Sequence, residues 1–157
     1  EGHDRAERLR RARTPGERAV TTPAELEAVL RGYKRVAVVG LSPKPDRPSH
    51  GIFRYLIGAG YDVVGVNPLI AGQTIAGRPC YAALEDIPGS VSIVDVFRRS
   101  SEVPPVADAA IAIGAKVLWL QDGVTHAAAE ARARSAGLTV IADRCILRDH
   151  ARLIGGR

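Results

Sequence analysis

Aromatic residues are scarce in this chain: one Trp, two Phe and four Tyr among 157 residues. Its core must therefore be built mainly from Val, Ile, Leu and Ala. There are only two cysteines, Cys80 and Cys145, too few for a disulfide framework and too few on their own for a zinc site. No apolar run approaches the roughly 20 residues that span a bilayer. No signal-peptide pattern opens the chain, so a reduced, cytoplasmic setting without a membrane partner is the expectation. No Walker-type phosphate loop, nucleophile elbow or H-E-x-x-H helix occurs. Paired carboxylates beside an evident acid–base partner are missing too.

The remaining composition is that of an ordinary globular domain, and the length suits one domain. The formal charge of +5 is concentrated partly in residues 1–20, where arginines 5, 8, 10, 11, 13 and 18 face four acidic residues. This arm has no aromatics to stack on bases and its charges are mixed, so it reads as a solvated extension (1–21), with nucleic acid not expected as a partner. The domain proper is then 22–157.

From Thr22 the chain alternates helices and strands. Thr22-Pro23-Ala24-Glu25 is a capping-box opening, and Leu26, Val29 and Leu30 follow at helical spacing, which predicts a helix over 23–31. Short, continuous apolar runs predict buried parallel strands at 35–40, 61–66, 92–96, 116–120 and 138–142. Helices are predicted from Ser49 to Gly60, from Pro104 to Gly114 and from a Thr125 cap to about Ser135. The stretch 67–90 is long for a loop, and a short extension at Gln73–Ile75 and a helical turn at Leu84–Ile87 fit within it. Beyond Asp143 the tail reads as polar. The expected fold is α/β and Rossmann-like: a doubly wound, five-stranded parallel sheet in the order 3-2-1-4-5 with helices on both faces.

In such a sheet, ligands sit outside the carboxyl ends of the strands, where the strand order switches. Four turns there carry unusual residues. Gly40-Leu41-Ser42-Pro43-Lys44-Pro45-Asp46-Arg47-Pro48-Ser49 follows the first strand and leads into a helix N-terminus, a favourable place for a phosphate, and Lys44 and Arg47 add positive charge. The dinucleotide fingerprint is absent, because Ser42 and Pro45 stand where glycines would be required. The second strand ends in Asn67-Pro68 and not in the carboxylate that would hold an NAD ribose. Arg98 and Arg99 follow the third strand and suit phosphates or acidic side chains. Gln121, Asp122 and Gly123 follow the fourth. After the fifth come Asp143, Cys145 and His150. A Cys–His pair raises nucleophilic chemistry, but a thiol at a strand end more often packs as a small residue. Zinc held by His50, Cys80, Cys145 and His150 has no matching metal spacing. His3 and His126 read as solvent residues.

Five segments in register carry a resemblance. These are Val36 to Pro45 with Arg47-Pro48-Ser49; Val64-Gly65-Val66-Asn67-Pro68; Ile93-Val94-Asp95-Val96-Phe97-Arg98-Arg99; Gly114-Ala115-Lys116 with Trp119 to Gly123; and Asp143-Arg144-Cys145 with His150. Together they resemble the small bacterial and archaeal CoA-binding domain proteins, a family similar to the CoA-binding domain of the succinyl-CoA synthetase alpha subunit. The resemblance spans about residues 22–153. It implies coenzyme A or an acyl-CoA as the ligand. Gly40, Leu41, Ser42, Pro43 and Lys44, with Arg47 and Ser49, would lie at the phosphates, and Asn67 and Pro68 on the adenosine side. Arg98, Arg99, Gln121 and Gly123 would flank the cleft. The synthetase's phosphohistidine domain has no counterpart in this sequence, so binding without catalysis is the expectation, with no catalytic residue and no metal. The alternative is a subunit or enzyme of thioester metabolism that uses a partner chain or Cys145. A homo-oligomer or a partner subunit is compatible with either.

Overall fold

The computed structural model describes residues 22–155, so the expected arm, 1–21, lies outside the described residues. Its chain order is α1 (Pro23–Gly32), β1 (Arg35–Val39), α2 (Pro48–Gly58), β2 (Asp62–Val66), β3 (Thr74–Ile75), β4 (Arg78–Tyr81), β5 (Ile93–Val96), α3 (Val103–Ala112), β6 (Val117–Leu120), α4 (Ala127–Ser135), β7 (Thr139–Ile141) and α5 (Ile146–His150). A π-helical turn, Ala151–Gly155, continues from α5. Single 3-10 turns stand at Pro68–Ile70, Leu84–Asp86 and Ser100–Glu102.

The α/β expectation, with a parallel sheet covered on both faces, describes this molecule. The strand count and order require correction. The sheet has seven strands in the order β3-β4-β2-β1-β5-β6-β7. Every pairing is parallel except β3 with β4. The strand at 92–96 was expected beside the one at 61–66. It pairs instead with β1, from Val36↔Ile93 to Val39↔Val96. The outer flank of β2 is taken by β4, through Gly65↔Cys80 and Val66↔Tyr81. The segment Arg78-Pro79-Cys80-Tyr81 has no apolar alternation to announce it, yet it fills the third-strand place in the expected order.

Alternation within the strands sorts the core into two layers. Val36, Val38, Val63, Ile93, Val117, Trp119 and Ile141 pack beneath Leu26 and Leu30 of α1, Ile52, Phe53 and Leu56 of α2, and Ile146 of α5. On the opposite face Ala37, Val39, Val64, Val94, Val96, Leu118, Leu120 and Val140 meet Val103, Ala107 and Ala110 of α3 and Ala129 and Ala133 of α4. The small side chains of α3 and α4 let those helices lie close to the sheet. Each large aliphatic side chain buried in this way contributes about 1.5–3 kcal/mol of transfer free energy.

Local chemistry explains the helix starts. The Thr22 hydroxyl accepts from the Glu25 amide at 3.2 Å and donates to the Glu25 carboxylate at 2.7 Å, so the expected cap forms. Thr125 does not cap α4. His126 does: its Nδ1 accepts from the Ala129 amide at 3.2 Å, while Glu130 accepts from the His126 amide at 2.8 Å. His126 is therefore a capping residue and not a free solvent residue. The tail after Asp143 is also not simply polar. Ile146 is fully buried, and Arg144 closes a bidentate pair on the buried Asp149 with both bonds at 2.8 Å. No helix among the described residues is long and apolar enough to cross a membrane.

Candidate functional site

A cleft of about 950 Å³ opens at the carboxyl ends of β1, β2, β5 and β6. Its position follows from the topology: loops leave β1 and β5 toward opposite sides and part there.

The first wall is the loop from Gly40 to Arg47. Gly40 has φ +89°, and a Cβ at this position would stand 2.2 Å from the Phe97 carbonyl oxygen. Glycine is thus required by the approach of the β5 exit to the β1 exit, and not by ligand access alone. The loop is braced by the first turn of α2. The Ser49 hydroxyl accepts from the Ser42 amide at 3.0 Å, and the Ser42 hydroxyl accepts from the Lys44 amide at 3.1 Å. His50 Nδ1 lies 2.9 Å from the Ser42 carbonyl, which can only accept, so Nδ1 carries the proton. Nε2 then accepts from Arg54 at 2.9 Å. The Ser42 and Lys44 amides are therefore occupied within the loop. The N-terminus of α2 itself has no side-chain cap, because Arg47 at that position makes no capping bond. Its positive end faces the cleft beside Arg47, Pro48 and Ser49.

The second wall follows β2. Asn67 is a clamp: its Nδ2 donates to the Leu41 carbonyl at 2.9 Å, and its Oδ1 accepts from the Leu69 amide at 3.0 Å. It binds the β1 and β2 exits together and lines the cleft. Leu69, 85% exposed, lines the same wall with Ile70 and Gln73. The floor is apolar, with Ile52 and Phe97 inside and Val124 opposite. The third wall carries Arg98, half-buried, and Arg99, exposed, beyond β5. Gln121, Asp122 and Cys145 complete it.

Of the residues singled out from the sequence, Gly40, Ser42, Pro43, Lys44, Arg47, Ser49, Asn67, Arg98, Arg99 and Gln121 come together on this cleft. Leu41, Pro68 and Gly123 do not. Leu41 is fully buried in the core, where the missing side chain of Gly65 makes room for it: a Cβ there would meet Leu41 Cδ2 at 2.5 Å. Pro68 is exposed and starts the 3-10 turn outside the lining. Gly123, at φ +77°, donates its amide to Asp143 at 2.7 Å and serves the turn. The residues that sequence reasoning missed are chiefly apolar: Ile52, Leu69, Ile70, Phe97 and Val124. They carry no chemical signature, and only their neighbourhood to the strand ends could have indicated them.

Charge is distributed unevenly around this cleft. Among the described residues, every arginine away from it has a side-chain partner: Arg31 with Glu27, Arg35 and Arg78 with Asp62, Arg54 with His50, Arg132 with Asp108, Arg134 with Glu130, and Arg144 and Arg152 with Asp149. Arg148 pairs with Asp122 and so neutralises the one carboxylate on the lining. Lys34 sits over the Tyr61 ring at 4.6 Å. Among the described residues the cations left without a partner are Lys44, Arg47, Arg98, Arg99 and Lys116, and four of these five line the cleft.

Cys145 and His150 are not joined. His150 lies beneath α2, its Nδ1 2.8 Å from the Tyr55 hydroxyl and its ring edge-on to Tyr55 and Tyr61. Burial, with Lys34 and Arg31 nearby, lowers its pKa. Cys80 is buried on β4, where desolvation raises its thiol pKa. Among the described residues no three His, Cys, Asp or Glu side chains are grouped to hold a metal. Asp95, fully buried on β5 two residues before Phe97, has no hydrogen-bond partner for either carboxyl oxygen. Desolvation pushes its pKa well above the ordinary carboxylate range.

Comparison with known proteins places this geometry. A family model described as a CoA binding domain matches residues 34–151. The chain is 41% identical over 128 residues to the uncharacterized protein YneT of Bacillus subtilis (strain 168), covering 82% of this chain and 93% of that protein. A solved structure of a hypothetical protein from Pyrococcus horikoshii OT3 superposes with a TM-score of 0.82 at 38% identity, covering 88% of this chain and 97% of the other. Cell-free ID.343 from Thermus thermophilus superposes with a TM-score of 0.82 at 37% identity, covering 85% and 100%.

Proposed function

The chain belongs to the CoA-binding domain family, and from that premise we propose that it holds coenzyme A or an acyl-CoA in the cleft at the carboxyl ends of β1, β2, β5 and β6. The observation that carries this reading is the sorting of charge: four unpaired cations meet on one cleft, while the other arginines among the described residues all have a side-chain partner. An anionic ligand with more than one phosphate suits two cationic walls, Lys44 and Arg47 on one side and Arg98 and Arg99 on the other. The apolar strip of Ile52, Leu69, Ile70 and Phe97 suits an adenine ring or the uncharged arm of the same ligand. The volume lies near the upper end of the range for small-molecule sites, about 300–1,000 Å³. NAD fits less well, since Asn67 stands where a ribose-binding carboxylate would be and its amide is taken up by Leu41 and Leu69.

We read the protein as a holder of this ligand and not as a catalyst. The cleft thiol has no base bonded to it, and the nearest sequence candidate for one, His150, is bonded to Tyr55.

The test is isothermal titration with CoA, with NAD and ATP run alongside. Saturable binding of CoA is expected. Lys44→Ala and Arg98→Ala should each weaken it by about tenfold, the effect of losing one charge-assisted contact. Uptake of NAD or ATP with none of CoA would overturn the reading.

A further inference from the structure

We propose that Cys145 is the point at which a bound CoA becomes covalently joined to this protein, by exchange with the symmetric disulfide of CoA. The proposal rests on the reading of the cleft as a CoA site and adds to it a covalent, redox-controlled state.

Two side chains of the third wall point to it independently. Cys145 is a free, half-buried thiol on the cleft lining. Gln121, on the same lining, is only 5% exposed. Its Oε1 accepts from the Ile146 amide at 3.1 Å, one residue beyond the thiol, which fixes the side-chain amide. That bond leaves Nε2, a donor, without a protein partner at the cleft wall. The side chain is nearly buried, yet this donor stays accessible at the cleft, where an acceptor on the ligand can take it. The pantetheine arm of CoA carries amide carbonyls close to its sulfur. A carbonyl accepting from Gln121 Nε2 sets that sulfur beside Cys145, while the phosphates lie at the cationic walls.

The chemistry suits a thiol that has no neighbouring base. Cys145 loses its proton to solvent. The thiolate attacks one sulfur of the CoA disulfide, a Cys145–CoA S–S bond forms, and the disulfide S–S bond breaks. The second CoA leaves as a thiolate and takes up a proton. The disulfide is the oxidant, and a free thiol reverses the step. The rim residues Arg99 and Asp122 are exposed, so the second half of the disulfide can remain in solvent. The other cysteine serves as an internal control: Cys80 is 2% exposed, with its thiolate disfavoured by burial.

The experiment treats the reduced, reductant-free protein with CoA disulfide or, separately, with glutathione disulfide at equal concentration, followed by intact mass and peptide mapping. One CoA per chain on Cys145 is expected, removed by dithiothreitol. It should form about tenfold faster than the glutathione adduct, because the cleft concentrates the CoA half beside the thiol. Lys44→Ala should erase that advantage by slowing the CoA reaction more than the glutathione reaction. Cys145→Ser, checked by its melting temperature, should carry no adduct. No adduct, an adduct on Cys80, or equal rates for the two disulfides would each sink the proposal. Calorimetry with CoA under dithiothreitol separates the two readings: binding there without an adduct under CoA disulfide removes only the covalent step, whereas no binding removes the site itself.

Discussion

At the scale of single residues, two buried titratable groups bring opposite pH dependences to stability. Asp95 holds its proton to higher pH in the folded state than in the unfolded chain, because burial raises its pKa. In the unfolded chain it ionises above about 3.9. Its contribution is therefore fully present below that pH and is lost as pH rises through the folded pKa. Asp95→Asn should be more stable than the native chain at pH 7, and the gap in melting temperature should close as pH falls toward about 4. A gap that stays constant with pH would mean that Asp95 does not titrate. His150 works the other way. Its lowered pKa gives a contribution that is present above about 6.5 and lost as pH falls through the folded value. Gly40 has a steric constraint instead. Gly40→Ala must push a Cβ against the Phe97 carbonyl at a left-handed φ, so a loss of about 2 kcal/mol or more is expected in a denaturant melt. The two cleft walls that meet at this contact should separate, and CoA affinity should fall with stability.

At the scale of elements, legibility followed burial. The strands at 35–40 and 92–96 were readable because parallel strands covered on both faces are apolar at nearly every position, as Val36-Ala37-Val38-Val39 shows. β4 escaped because a sheet-flanking strand needs little apolar surface: of Arg78-Pro79-Cys80-Tyr81 only Cys80 is buried. That single omission displaced the 92–96 strand in the expected order. α5 escaped because it has a single fully buried apolar residue, Ile146, and its other buried residues, Asp149 and His150, are ones a sequence pattern reads as surface. The cationic half of the candidate site was readable from the rule that strand carboxyl ends hold ligands. The apolar half was not, since Leu69 and Ile70 lie in a turn without periodicity. Leu41, whose side chain is buried in the core, shows the limit of that rule: backbone position at the right edge does not fix which way a side chain points. Two substitutions test these elements. His126→Ala should cost about 0.5–2 kcal/mol by removing the α4 cap. Ile146→Ala should cost about 2–5 kcal/mol through the cavity it leaves. It should also weaken CoA binding, since the Ile146 amide positions Gln121.

At the scale of the whole molecule, the pairing of the other described arginines with carboxylates or with His50 leaves unbalanced positive charge where the cleft opens. CoA affinity should therefore fall as ionic strength rises, and more steeply for the native chain than for Lys44→Ala, in titrations from low salt to physiological salt. An affinity independent of salt would place the phosphates away from these side chains.

The margins of the sheet have a further consequence. On one side it ends in the two-residue β3, turned antiparallel against β4, whose Pro79 has no amide hydrogen to offer. On the other it ends in the three-residue β7. Among the described residues neither border presents a long row of open backbone groups for another polypeptide to zip onto. A chain so rich in Val and Ile carries the raw material of fibrils, and borders this short offer the folded form little template for seeding them.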